Sequence, residues 1–238
     1  MGEESIDMIE TRTYHGIALD IARAESERVC YILLPEGLKD DGMSWMEDAA
    51  GRFSVNIVVM SGMDWNDALT PWSADGVFRK SKPFGGRAEL FLKDLKEDFF
   101  PSIETFLKLR KPERFLVGIS LSGLFAVWSV YTSDLLKGIA SISGSLWFDR
   151  FTSWCVSQTL SPSVRKIYLS LGDREKKSRD PRMATVEDAT RQTADILRGK
   201  GADVEFVLEE NTTHFSPAVP RLEKAFKALF PEETLIEK

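Results

Sequence analysis

With 238 residues, 43% of them apolar and 29% charged, the chain has the make-up of an ordinary globular protein, and enough length for one large α/β domain or two small ones. A net charge of −6 argues against a nucleic-acid partner, which calls for a basic face. Cys30 and Cys155 have no zinc spacing around them and read as buried thiols rather than a disulfide.

The N-terminal Met1-Gly2-Glu3-Glu4-Ser5 is acidic and lacks an apolar core, so no secretory signal is expected, and Ile6 breaks the myristoylation pattern. The expected compartment is cytoplasmic, although a chain trimmed of its signal peptide would look the same. Residues 13–22 alternate loosely and predict a strand, and residues 28–34 predict a second. Glu25-Ser26-Glu27 forms the turn between them, which makes the two an antiparallel pair. Residues 43–50 predict a short helix and the β-branched run 55–60 a buried strand.

Residues 61–86 are long, aperiodic and rich in aromatics: Trp65, Trp72, Phe78 and Phe84. A loop of this length in a compact domain is usually functional. It is either pinned by its own aromatics or a wall for a ligand. Leu92, Leu95, Phe99, Ile103, Phe106 and Leu107 recur at helical spacing over 89–110. Pro101 should kink or split that helix, and Lys111-Pro112 closes it.

Residues 115–133 carry no charge and approach the length of a membrane span, but four serines, a threonine and two glycines fit a buried strand followed by a buried helix. Between the two lies Gly118-Ile119-Ser120-Leu121-Ser122-Gly123. A serine among small residues on a strand-to-helix turn is what a nucleophile elbow needs, since the strained turn tolerates no bulk two residues to either side. Ser122 stands where a second glycine is usual. Residues 138–143, 166–171 and 204–208 predict further strands. Val186, Ala189, Thr190, Thr193 and Leu197 mark a helix with Thr185 and Asp188 as its capping box, stopped by Gly199 and Gly201. Ser216 caps and Pro217 opens the final helix, with Val219, Leu222, Phe226 and Leu229 inward. Strands alternate with helices from about residue 50, which predicts one domain over 1–238: a mostly parallel sheet with helices on both faces.

A serine hydroxyl needs a base. His15 lies in the first strand and reads as structural; His214 follows the last strand, at the carboxyl edge of the sheet where Ser120 also lies. Asp173 or Glu175, after the strand 166–171, could orient the imidazole. The oxyanion would be held by the N–H of Leu121 and by Gly37 or Leu38 in the loop after residues 28–34. No ligand cluster suggests a metal or a cofactor.

Gly118-Ile119-Ser120-Leu121-Ser122-Gly123-Leu124-Phe125, together with 67–72 (Asp-Ala-Leu-Thr-Pro-Trp) and 145–149 (Ser-Leu-Trp-Phe-Asp), resembles the putative esterase (esterase D-like) branch of the α/β-hydrolases, in particular the enterochelin (ferri-enterobactin) esterases. The resemblance runs from about residue 28 to 230. It implies an α/β-hydrolase three-layer sandwich and a serine ester hydrolase acting through an acyl-enzyme. Ser120 would be the nucleophile, His214 the base and Glu175, rather than Asp173, the acid. The substrate would be a small or medium carboxylic ester lying against Trp65, Trp72 and Trp147, with residues 62–86 over the site. Ile119 and Ser122 depart from that family's histidine and glycine. The alternatives are a non-catalytic binder on the same fold, and a thioesterase or carbohydrate acetyl esterase. Neither nucleic acid nor membrane is expected as a partner, and the oligomeric state is open.

Overall fold

Residues 9–77 and 80–231 are described in the computed structural model; Phe78 and the acidic N-terminal stretch lie outside the described residues. The chain opens with β1 (Ile9–Tyr14), β2 (Ile17–Ala22), β3 (Arg28–Leu33), α1 (Asp40–Phe53) and β4 (Asn56–Ser61). There follow α2 (Trp65–Ala68), β5 (Ser73–Ala74), β6 (Phe84–Gly85), α3 (Ala88–Asp94) and α4 (Phe100–Leu107). The second half alternates: β7 (Glu113–Ile119), α5 (Leu121–Thr132), β8 (Leu136–Ile142), α6 (Phe151–Ser157), β9 (Lys166–Gly172), α7 (Val186–Gly199), β10 (Asp203–Glu209) and α8 (Ala218–Leu229).

Eight strands form one sheet in the order β1-β2-β4-β3-β7-β8-β9-β10, parallel from β4 through β10 and antiparallel at the β1–β2 end. The central strands are apolar on both faces because helices cover both. Along β3, Val29, Tyr31 and Leu33 enter one core while Cys30 and Ile32 enter the other. Helices α1 and α8 pack the second core through Trp45, Met46, Leu222 and Phe226; α3, α4, α5 and α7 pack the first. The uncharged run 115–133 divides between β7 and α5, and among the described residues no helix is long and apolar enough to cross a membrane. Cys30 and Cys155 are free and buried, as read from the sequence.

Of four local expectations the structure corrects three and bears out one. First, residues 13–22 are two strands, not one. His15 and Gly16 both take positive φ (48° and 80°), the geometry of a tight hairpin turn between β1 and β2. Strand β2 then pairs antiparallel with β4, while β3 pairs parallel with β4 and β7, so the expected β2–β3 pair does not exist. Second, the helix over 89–110 does split as expected, at a π-helical turn, Leu95–Phe99, that ends just before Pro101 in the first turn of α4. Third, Thr185 precedes α7 but its hydroxyl donates back to Arg182 O (2.7 Å), so no capping box forms. Fourth, Pro217 rather than Ser216 caps α8; the Ser216 hydroxyl instead accepts the Thr213 N–H at 3.0 Å.

Residues 61–86 hold more order than their lack of period suggests: the short helix α2 and the two-stranded ribbon β5–β6. Thr70 closes the base of this excursion. Its hydroxyl donates to Asn66 O (2.7 Å) and accepts the Gly86 N–H (3.0 Å), and its carbonyl accepts the Ala88 N–H (3.0 Å).

Candidate active site

Strand β7 runs directly into α5 with Ser120 at the junction, at φ 64° and ψ −122°. A non-glycine residue held there is strained, and only a well-braced turn keeps it. The bracing can be named. A Cβ on Gly118 would meet the Ser122 backbone carbonyl, and one on Gly123 would come within 2.7 Å of Ser141 Oγ and 2.9 Å of Gly144 Cα. Both positions must therefore be glycine for α5 to approach β7 and β8 so closely. Ser122, the departure from G-x-S-x-G, has its Oγ 2.8 Å from Leu33 O and 2.8 Å from Ile119 O, and accepts the Ile119 N–H at 2.8 Å. It ties the elbow to itself and to β3.

The loop after β10 brings His214 over Ser120. Main-chain bonds hold it to the loop after β9: Asp173 N–H donates to Glu209 O (3.0 Å) and Arg174 N–H to Thr212 O (3.2 Å). His214 Nε2 lies 3.1 Å from Ser120 Oγ, and His214 Nδ1 lies 2.9 Å from Glu175 Oε2. An ionised carboxylate only accepts, so Nδ1 carries the proton and Nε2 is left to accept from the Ser120 hydroxyl. Asp173 does not reach the imidazole; its Oδ1 accepts the Thr212 N–H at 3.2 Å.

Glu175 is 4% exposed, against 26% for His214. Burial alone would raise its pKa. Hydrogen bonds from His214, from the Ser143 hydroxyl and from the Gly172 N–H (2.8 Å) outweigh that and hold the carboxyl below its usual range. Behind it lies a chain of groups that the sequence reading did not find. Arg221, on α8 and 3% exposed, donates to Ser143 Oγ (2.6 Å) and to Glu209 Oε1 (2.9 Å), and sits 3.8 Å from Glu175 Oε1. Lys224 donates to the other Glu209 oxygen at 2.6 Å. Ser145 was also missed as a polar group: its N–H donates to Ser120 O (3.0 Å) and its Oγ lies 3.5 Å from Ser120 Oγ. The signal for Arg221 was available, since a cation at a buried position of an amphipathic helix demands a buried acid.

Two clefts meet at Ser120. One, of about 480 Å³, includes Gly37, Leu38, Ile119, His214 and Phe215. The other, of about 320 Å³, includes Trp65, Phe84, Leu121, Ser145 and Trp147. Trp65 lines both. Trp72 is not brought to either cleft: its ring packs on Phe148 and Trp154 and its Nε1–H donates to Asp149 O at 3.0 Å. Leu121 opens α5, where its N–H has no carbonyl in the preceding turn to bond. Among the described residues no group of three His, Cys, Asp or Glu side chains is placed to hold a metal. A hydroxyl, an imidazole and a carboxylate in series, beside a free helix N–H, form an arrangement that can activate the hydroxyl and receive negative charge.

The family model described as Putative esterase matches residues 23–217, most of the chain and all three of these groups. The chain belongs to the putative esterase family. The chain is 29% identical over 138 residues to the uncharacterized protein YbbA of Bacillus subtilis (strain 168), a match covering 57% of this chain and 55% of that protein. It thus spans about half the length of the curated relative it matches. Among solved structures, an IroE-like serine hydrolase from Shewanella oneidensis superposes with a TM-score of 0.73 at 21% identity, covering 93% of this chain and 79% of the other. The siderophore hydrolase EstA from Aspergillus nidulans gives 0.71 at 17% identity over 93% of each chain. At these identities the likeness establishes the fold, which is the α/β-hydrolase sandwich expected from the sequence.

Proposed function

We propose that this esterase is a serine carboxylic ester hydrolase that works through an acyl-enzyme, with Ser120 as nucleophile, His214 as general base and Glu175 as the orienting acid. One observation carries the reading: the unbroken series from Ser120 Oγ to His214 (3.1 Å) to Glu175 (2.9 Å), built on a strained elbow. Ser120 Oγ attacks the ester carbonyl carbon while His214 Nε2 takes its proton. The oxyanion falls to the Leu121 N–H and to a second N–H from Gly37 or Leu38, each such donor worth about 3 kcal/mol in the transition state. His214 then returns the proton to the departing alcohol oxygen, leaving the acyl group on Ser120. Water, deprotonated by His214, attacks the acyl carbon, releases the carboxylic acid and restores the hydroxyl. The carboxylate of Glu175 stabilises the imidazolium formed at each proton transfer.

Trp65 and Trp147 supply aromatic walls on the substrate, the chain acts as one domain, and Trp65, Asn66, Val77, Ser81, Lys82 and Phe84 of the long aromatic segment line the smaller cleft. The name of the EstA neighbour makes a siderophore one substrate to include in the ester panel. Replacing Ser120 with alanine is expected to lower kcat by roughly 10⁶-fold on the best ester of that panel. Retention of most of the activity by S120A, or failure of a fluorophosphonate probe to label Ser120 in the folded wild-type protein, would sink the assignment.

A further inference from the structure

Phe215 is 93% exposed, more than Leu90 (58%) and Val156 (61%), the other large apolar side chains left in solvent among the described residues. It follows His214 directly, meets that ring edge-on at 5.4 Å, and lines both clefts that open from Ser120. A single exposed apolar ring is ordinary on a surface, but this one lines both clefts at the nucleophile, where a ligand would cover it. The larger cleft beneath it is walled by Leu34, Leu38, Ile119, Pro217 and Val219. Its volume, about 480 Å³, falls in the range of small-ligand sites.

Charge narrows the occupant. Among the described residues, the acids and Lys or Arg side chains on the rim of this cleft are Glu36, Lys39 and Asp41, all exposed, so one cation faces two acids. Among the described residues, the one Lys or Arg lining the smaller cleft is Lys82, held 3.0 Å from Asp64 and 3.7 Å from Asp67. Among the described residues, then, acids surround the cations of both clefts, and the apolar walls of the larger one would leave a carboxylate unpaired.

Resting on the hydrolase reading above, we propose that the larger cleft takes an uncharged, apolar arm of the ester and that Phe215 closes on that arm as the side chain that sets the preference for it. Phe215 contributes by contact with the substrate, so its loss should be felt in proportion to the length of the arm. Two series of esters test this on the full chain, one lengthening the acyl group from acetate to octanoate and one lengthening the alcohol. In one of the series kcat/KM should rise with length by roughly tenfold or more, the discrimination that one or two methylene groups give in an apolar pocket. An ester of equal length ending in a carboxylate should lose most of that gain. In the Phe215→Ala protein the long-to-short ratio should collapse by a similar factor, chiefly through KM. V219F, which adds bulk to the wall of the cleft, should penalise the long esters likewise.

The assignment falls if neither series gains with length, if the carboxylate-ended ester is the better substrate, or if F215A lowers all esters equally. Labelling of wild-type Ser120 by a fluorophosphonate separates the two levels. Without labelling the hydrolase reading fails and this assignment with it; with labelling and an unchanged ratio in F215A, this assignment alone fails.

Discussion

Ser122 stands in the first turn of α5 with its side chain wholly buried. Its single hydroxyl proton serves Leu33 O or Ile119 O, and its lone pair takes the Ile119 N–H. This explains how the elbow manages without the second glycine: a small side chain fits and gains bonds that glycine lacks. Ser122→Gly would restore the usual motif yet should destabilise the protein. The loss combines one net hydrogen bond with the helix penalty of glycine, about 2 kcal/mol together. Urea denaturation of the two proteins measures it; a variant as stable as the wild type would mean that the hydroxyl bonds contribute nothing net. At this scale the sequence was legible where chemistry forces a position. Ser120 and His214 could be set together because each follows a strand of the parallel sheet, and strand ends gather at one edge; the same argument left Asp173 and Glu175 open, and only the family resemblance pointed to Glu175. Trp72 could not be read, because an aromatic in an aperiodic loop looks the same whether it faces a ligand or packs on Phe148 and Trp154.

Element identity was set by hydrophobic period, and that is why the strands and helices of the second half fall close to where the pattern puts them. Pairing was not, since nothing in residues 17–22 or 28–33 names the neighbour across the sheet; the partner of β2 is β4, far along the chain. Buried polar bonds between elements were equally silent. Arg221 joins α8 to Glu209 at the end of β10 and to Ser143 just beyond β8, 12 and 78 residues away. Arg221→Met would remove the cation and leave the buried Glu209 carboxylate with Lys224 alone. A broken buried pair of this kind costs about 3–5 kcal/mol. The check is a double-mutant cycle with Glu209→Gln, read by urea midpoints. Coupling above about 1 kcal/mol is expected, because each single variant strands a group that the double variant does not. Additive losses would show that Arg221 packs without pairing.

Across the whole molecule, α8 is clamped by carboxylates whose pKa values all lie below the usual 4.5. Glu223 is brought down to about 2 by the Arg52 guanidinium of α1, with the Trp45 indole N–H and Lys227 adding to it. In Glu209, burial works upward but hydrogen bonds from Lys224 and Arg221 prevail and lower it. Glu175 is lowered likewise by its hydrogen bonds, against burial. A carboxyl whose folded value is depressed takes up protons more readily in the unfolded chain. Its contribution to stability is therefore whole above about pH 4.5 and is lost as the pH falls through the folded values. The ion pairs of α8 thus tie its docking against the second core to their ionisation, and the same helix backs the acid that holds His214. The urea midpoint should stay level from neutral pH down to about 5 and then fall steeply toward pH 3. Glu223→Gln should start from a lower midpoint at neutral pH and lose less on acidification, because it has no proton left to gain at that site. A midpoint that holds steady to pH 3, or an equally steep fall in E223Q, would separate the packing of α8 from its charges.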